Sequence, residues 1–202
     1  MTLTEGPVSL RPTRRWDRRT WESVRRRNYE WLKPWEPTPP LAGEGAPPTF
    51  SAMVGVMRSE ARAGRMLPWV LTYDGRLVGQ VTVSGITYGS LRAAHIGYWI
   101  DQQYAGHGLM PFAVAMACDH LLGTLRLHRV EIAMRVENEP SRRVAEKLGF
   151  RFEGVRPRYL HIDHAWRDHL VYALDADEVS GSLRVRLRDT PGAFHGEGDV
   201  AT

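Results

Sequence analysis

The sequence predicts an α+β domain: a mixed, mainly antiparallel sheet of about seven strands with helices on both faces. Two observations carry most of this. Alternating apolar and polar runs flank turns twice, at Asp74-Gly75 and again over 150–174, as antiparallel hairpins do. Between them lie segments whose apolar residues recur at three- and four-residue steps, the period of a helix laid on a sheet. A third observation is that no internal repeat divides the chain, which suits one sheet-centred unit over 1–178 with a tail at 179–202.

Taken in order, Val8 to Arg11 alternates and Pro12 stops it, giving a short first strand. From Thr13 to Lys33 the residues Trp16, Thr20, Trp21, Val24, Asn28, Trp31 and Leu32 keep helical spacing. Six prolines (34, 37, 39, 40, 47 and 48) with Gly43 and Gly45 then forbid regular helix or central strand. That stretch reads either as an internal loop or as a semi-rigid flap carrying Trp35 over a substrate. Thr49 is placed to cap a helix from Phe50 to Ala63. The hairpin at 67–83 turns at Asp74-Gly75, and a strand at 93–101 follows the turn at Gly89-Ser90. A helix opens after Gly108, with Phe112, Met116, Ala117, His120 and Leu121 in phase. The β-branched run 128–136 is a strand, and 138–149 is a short helix stopped by Gly149. The segments 150–160 and 166–174 form the last hairpin. Residues 182–188 alternate, and read as an added edge strand or as part of a flexible tail.

Composition removes several classes of function. Hydrophobic residues at 43% and charged residues at 25% are ordinary globular values, against a disordered or fibrous chain. The single cysteine, Cys118, can form neither an internal disulfide nor a Cys-rich zinc site. The first residues show no apolar signal core, and no run approaches the roughly 18 apolar residues that cross a bilayer. The expectation is a soluble cytoplasmic protein with no membrane partner. Of the 27 basic residues only Lys33 and Lys147 are lysine. Eight arginines (11, 14, 15, 18, 19, 25, 26 and 27) crowd one segment against Asp17 and Glu22. This is either a polyanion-binding face or a solvated helix face, and the sequence leaves both open.

The most informative segment is Gln103-Tyr-Ala-Gly106-His-Gly108, which follows a strand and opens a helix. Glycines let backbone N–H groups approach a bulky anion, and a helix start adds unpaired donors and a favourable dipole. Pyrophosphate suits such a loop. No Gly-Lys-Ser/Thr ending follows, so this is not a nucleoside-triphosphate loop. Pro111 stands where a dinucleotide motif has its third glycine.

A second motif begins at Asn138-Glu-Pro-Ser141 and ends at Leu148-Gly149-Phe150. With GYWID at 97–101, QYAGHG at 103–108, RVEIAMRVENEPSRRVAEKLGF at 129–150 and FEGV at 152–155, the chain resembles the GNAT superfamily of N-acetyltransferases. WLKPWEP at 31–37 adds likeness to its RimJ/RimL type, which acetylates the N-terminal α-amine of ribosomal proteins. The resemblance covers about residues 7–175. It implies acetyl-CoA as co-substrate and no metal. It also implies two parallel strands, 94–101 and 129–136, that splay around the pantetheine arm. Cofactor contacts fall by resemblance on Ile100 at the strand end and on Gln103, Tyr104, Ala105, Gly106, His107 and Gly108 in the loop. Leu109 and Met110 at the next helix start, and Asn138, Ser141 and Lys147, complete them. Trp35 and Tyr98 fall on the acceptor side.

The resemblance gives Ser141 the role of protonating the departing thiolate, while the cap position gives Asn138 and Ser141 a structural use at a helix start. The base is less defined. Ala133 stands where one related branch has glutamate, and Leu160 where RimL-like enzymes have theirs. Glu131 shares a strand face with Ala133, and Tyr159 neighbours Leu160; these two join Ser141 as catalytic candidates. An α-amine, with a pKa of about 7.7–8.0 against about 10.4 for lysine, asks less of a base. The partner is then a protein N-terminus of ribosomal type, with the Arg11–Arg27 helix as a possible ribosome contact and the chain a monomer or homodimer. Two alternatives remain: an acetyltransferase for a small amine or antibiotic, and a non-catalytic CoA- or RNA-binding module. His161, Asp163, His164, Asp168 and His169 read as a polar hairpin end rather than a metal site, because residues 161 and 164 lie on opposite faces.

Overall fold

The computed structural model describes residues 1–41 and 49–188. Among the described residues eight strands form one sheet: β1 (Leu3–Glu5), β2 (Val8–Pro12), β3 (Leu67–Tyr73), β4 (Arg76–Thr87), β5 (Ala93–Ile100), β6 (Arg129–Arg135), β7 (Arg151–Ile162) and β8 (Ala165–Asp175). Their order is β1-β2-β3-β4-β5-β6-β8-β7, and every neighbouring pair is antiparallel except β5 and β6. The mixed, mainly antiparallel α+β class expected from the sequence is the class observed. The strand beyond the expected seven is β1, three residues folded back on β2 after Gly6, too short for its alternation to be read.

The first expected helix is broken into pieces. A 3-10 turn at Arg15–Asp17 precedes α1 (Arg18–Arg27), then α2 (Tyr29–Leu32) and a second 3-10 turn at Lys33–Trp35 follow. Thr13 cannot start the helix because its N–H and Oγ1 both donate to Pro68 O, at 3.1 and 3.3 Å. Asp17 accepts from Arg14 N at 2.7 Å and takes a two-toothed Arg11 contact at 2.9 and 2.7 Å, which fixes the entry turn. The break at Asn28 has a tertiary cause described below. Helix α3 (Phe50–Arg62) begins as expected, with Thr49 Oγ1 accepting from Ala52 N at 3.2 Å.

Helix α4 (Leu109–Cys118) continues as a π-helical turn to Thr124 and is buried on all sides, as its uniformly apolar sequence requires. It packs with α5 (Glu139–Lys147) on one face of the sheet, against Leu71, Val81, Val83, Ile96, Ile132 and Met134. Helix α1 covers the other face, where Val24, Val70 and Leu77 pack with Trp21 and Trp99. Successive residues of β5 therefore serve opposite faces: Tyr98 looks to α4 and α5, Trp99 to α1.

The alternation at 182–188 does not make an edge strand. Leu183–Arg188 is a helix, α6, with Leu183 at 0% and Leu187 at 5% exposure in the α4 core. Over six residues, leucines four apart fit a helix as well as a strand, so packing decides. Asp119 selects the helix by accepting from Ser182 Oγ at 2.6 Å and Leu183 N at 2.8 Å. Arg184 and Arg188 then ion-pair with Glu5 of β1. This makes the segment part of the core, and Leu183→Ala should cost about 2–5 kcal/mol of stability, the usual range for a buried leucine. Urea denaturation checks this, and a loss below about 1 kcal/mol would show that α6 is only loosely docked.

Candidate active site

The sheet opens at its parallel pair. β5 and β6 are in register only at Ala93↔Arg129, Ala94↔Val130 and His95↔Glu131, although β5 runs to Ile100 and β6 to Arg135. Past that point their facing edges diverge. At that end of β5 lies a cleft of about 770 Å³, lined by Gly97, Tyr98, Trp99 and Ile100 and by residues of the segment that follows β6.

On the α4–α5 side the cleft is floored by Tyr104, Ala105, Gly106 and Gly108 and by the first residues of α4, Leu109, Met110 and Pro111. Gly106 and Gly108 have φ of 86° and 76°, which favour glycine, and Gly108 is the N-cap of α4. The N–H groups of Leu109 and Met110, which open α4, have no carbonyl within the helix to pair with and can meet an anion. Arg143 and Lys147, one turn apart on α5, bring positive charge to the same end. Asn138 caps α5, its Oδ1 accepting from Ser141 N at 3.1 Å, while Asn138 and Ser141 both line the cleft. Ser141 Oγ lies 2.9 Å from Tyr98 Oη, which also donates to Ser141 O at 3.2 Å. Burial pushes the Tyr98 phenol well above its ordinary range, so it remains protonated and able to donate. Cys118, buried and likewise pushed up by desolvation, is no nucleophile.

The α1 side is aromatic. Trp31, Trp35 and Trp99 line it, with Glu36, Pro37, Gln80 and Thr82. Trp31 Nε1 donates to Ile100 O at 3.2 Å. Arg135 stacks on Trp35 with 5.6 Å to the ring centroid and donates to Pro34 O at 2.8 Å. Arg25, wedged between Trp21 and Trp99 at 5.4 and 5.2 Å, is ion-paired to Glu36. Burial lowers its pKa, although a guanidinium stays charged. Among the described residues Glu36 is the only carboxylate lining the cleft. The first part of the proline-rich segment is pinned: Pro37 bridges Ile162, and Thr38 N donates to His161 O at 2.9 Å. Residues 42–48, with Gly43, Gly45, Pro47 and Pro48, lie outside the described residues.

Of the residues proposed from sequence, the cleft gathers Trp35, Tyr98, Ile100, Tyr104, Ala105, Gly106, Gly108, Leu109, Met110, Asn138, Ser141 and Lys147. It does not gather Gln103, which lines a separate polar pocket with Arg11, Arg27 and Arg76, nor the exposed His107. Glu131 sits at the last position of β6 paired with β5, held by Arg129 at 2.8 Å and Arg156 at 2.9 Å. Those two guanidiniums outweigh its partial burial and lower its pKa, which suits an ion pair better than a base. Tyr159 is taken by Arg156, 5.1 Å from its ring, and packs edge-on to His169. The hairpin-end histidines and aspartates are dispersed: His161 faces Thr38, Asp168 caps Arg158 N at 2.8 Å and His169 faces Arg167 O. Sequence reasoning missed Trp31, Glu36, Gln80, Trp99 and Arg143. Period two along β5 was the available signal for Trp99, and the WLKPWEP run for Trp31 and Glu36.

Residues 8–151 match the family model described as acetyltransferase (GNAT) domain. The chain is 32% identical over 149 residues to the ribosomal protein uS5 alanine N-acetyltransferase of Escherichia coli, covering 73% of this chain and 76% of that one. It is 40% identical over 101 residues to the probable N-acetyltransferase YjcK of Bacillus subtilis, a match that takes in 50% of this chain and 56% of YjcK's own length. Among solved structures, Mycobacterium smegmatis RimJ in complex with CoA-disulfide is similar at a TM-score of 0.86 and 41% identity over 93% of each chain.

Proposed function

The chain belongs to the acetyltransferase (GNAT) domain family, and we propose that it moves an acetyl group from acetyl-CoA to the N-terminal α-amine of a protein of ribosomal type. The observation that carries this reading is the cleft beside the opened β5–β6 pair. It joins an end built of glycines, a helix start, Arg143 and Lys147 to an end built of three tryptophans and Glu36. The first end suits the phosphates of acetyl-CoA. The second suits an extended peptide whose ammonium is cationic and whose side chains are varied. A small polycationic amine would call for several carboxylates, and the cleft supplies one that is already paired with Arg25. The CoA-bound RimJ neighbour and the uS5 relative support the same co-substrate and acceptor class. Among the described residues no helix is long and apolar enough to cross a membrane.

In this reading the acceptor enters from the tryptophan side and loses one proton to water, Glu36 being held by Arg25. With an α-amine pKa of about 7.7–8.0, deprotonation near neutrality costs little more than 1 kcal/mol. The neutral nitrogen attacks the thioester carbonyl in a ternary complex. Collapse of the tetrahedral adduct breaks the C–S bond, and Ser141 O–H gives its proton to the sulfur. Tyr98 O–H, at 2.9 Å, returns a proton to Ser141. The nitrogen's second proton, shed as the amide forms, restores Tyr98, so amide, thiol and one net proton result.

The arginine-rich segment divides in the fold. Arg11, Arg18, Arg25 and Arg27 are ion-paired to Asp17, Glu22, Glu36 and Asp101. Arg15, Arg19 and Arg26 are exposed, as is Trp16 at 71%, with Arg14 over its ring. This face is the proposed contact with ribosomal RNA, by charge and by stacking.

Three measurements test these statements. Labelled acetyl-CoA incubated with N-terminal peptides, polyamines and aminoglycosides should label peptides alone; transfer confined to a small amine would replace the acceptor reading. Ser141→Ala should lower kcat by about 10²–10³-fold, with KM for acetyl-CoA little changed, as expected for a lost general acid. Tyr98→Phe should fall between that variant and the parent, and equal turnover in both would remove the dyad from the mechanism. Binding to a ribosomal RNA fragment should weaken with salt, and Arg15→Ala, Arg19→Ala and Arg26→Ala should each reduce the logarithmic salt slope by about one. Unchanged slopes would leave that face merely solvated.

A further inference from the structure

The lead-in to the glycine loop is held by side chains from the opposite face of the sheet. Asn28, between α1 and α2, has left helical geometry (φ −103°, ψ 16°) and is 2% exposed. Its side-chain amide is fully engaged. Nδ2 donates to Val24 O at 2.9 Å and to Asp101 Oδ1 at 2.8 Å, while Oδ1 accepts from Gln102 N at 2.9 Å. The neighbouring Arg27 ion-pairs with the other oxygen of Asp101. Trp31 Nε1, one turn on, takes Ile100 O.

Asp101 is 1% exposed and also orders the turn that follows it. Its Oδ1 accepts from Gln103 N at 3.4 Å, and its backbone O from Tyr104 N at 2.9 Å. Residues 100 to 102 thus take four tethers from the side chains of Arg27, Asn28 and Trp31, and Gly106 and Gly108 follow shortly in the chain. The apolar spacing of 13–33 would carry an unbroken helix through position 28. A buried carboxylate is costly unless paired and hydrogen-bonded. An interrupted helix and a buried Asp101 are both unnecessary for packing α1 on β4, and together they lock the loop's entry.

We propose that Asn28 and Asp101 are positioning residues for the cofactor. They set the pose of the 103–108 backbone, and they tie it to the helix pair whose continuation carries Trp31, Trp35 and Glu36. Acceptor side and cofactor side are thereby held in one register. This rests on reading 103–108 as the pyrophosphate loop.

The test uses the full chain and CoA itself, titrated by calorimetry into the parent, Asn28→Ala, Asp101→Asn, Arg27→Lys and Gly108→Val, with melting temperatures recorded for each. Asn28→Ala should raise the Kd for CoA about tenfold, the scale of one or two hydrogen bonds. KM for acetyl-CoA should rise with it, while kcat falls much less. Asp101→Asn keeps an acceptor for Asn28 and loses the ion pair, so it should raise Kd less. Restoring the charge and donor with lysine in Arg27→Lys should stay near the parent. A residue serving the fold alone would lower the melting temperature and leave the Kd of the folded protein unmoved. The proposal is overturned if Asn28→Ala and Asp101→Asn bind CoA within about twofold of the parent while Gly108→Val does not. If Gly108→Val also binds normally, the loop reading fails and takes the proposal with it. Should Asn28→Ala not fold, Asp101→Asn decides the matter: a Kd for CoA more than about twofold above the parent supports the proposal and an unmoved Kd overturns it.

Discussion

The rest of the molecule depends on an unfinished ladder. β5 is paired along its other edge with β4 out to Ile100, and β6 along its other edge with β8 out to Arg135. Each strand is thus fully supported on one side, and their shared side can open after three pairs without either strand fraying. Open strand edges within a sheet are costly unless something donates and accepts there. An extended ligand with amides of its own, such as a pantetheine arm, meets that need as an added strand would. Because the opening runs through the sheet, it connects two faces that carry different chemistry. One face offers α4, α5 and their backbone donors, and the other offers tryptophans from α2 and β5.

Carboxylates organise the elements around that opening. Asp17 sets the entry of α1, Asp101 the glycine loop and Asp119 the start of α6. Each serves as a buried or nearly buried acceptor with an arginine partner: Arg11, Arg27 and Arg184. Further out, Arg129 and Arg151 bridge Glu153 and Asp175 across β6, β7 and β8. Arg129 beside Glu153 holds that carboxyl down to about 2. Its contribution is therefore complete above the ordinary carboxylate range and is lost as pH falls towards the depressed value. It lies near the surface, so screening keeps the contribution small. Much of the arginine excess is thus internal pairing, and only part of the α1 face is free for a partner.

The legible parts of the site were those with a local signature. Gly106 and Gly108 need left-handed backbone, and Asn138 with Pro140 is a helix start whatever surrounds it. Residues whose role depends on a distant partner were less legible. Tyr98 read as an acceptor contact, and Ser141, 43 positions away, supplies the phenol's hydrogen-bond partner. Glu131 has the residue type and the face of a base, and two arginines from different strands take it. Glu36 lies in the WLKPWEP run, but nothing in the run says that it faces a cleft, because its place depends on Arg25 and on the bridge of Pro37 to Ile162.

By itself the sequence determined the fold class, the hairpin at Asp74-Gly75, the glycine loop and the family likeness. These rest on period, turn conformation and short motifs, all of which act within a few residues. Tertiary structure alone decided three things: that the first helix breaks at Asn28, that 182–188 is helix rather than strand, and which carboxylate faces the cleft. In each case two local conformations or two partners lie within a few kcal/mol of one another. Long-range burial and hydrogen bonding, from Asp101, from Asp119 and from Arg25, choose between them.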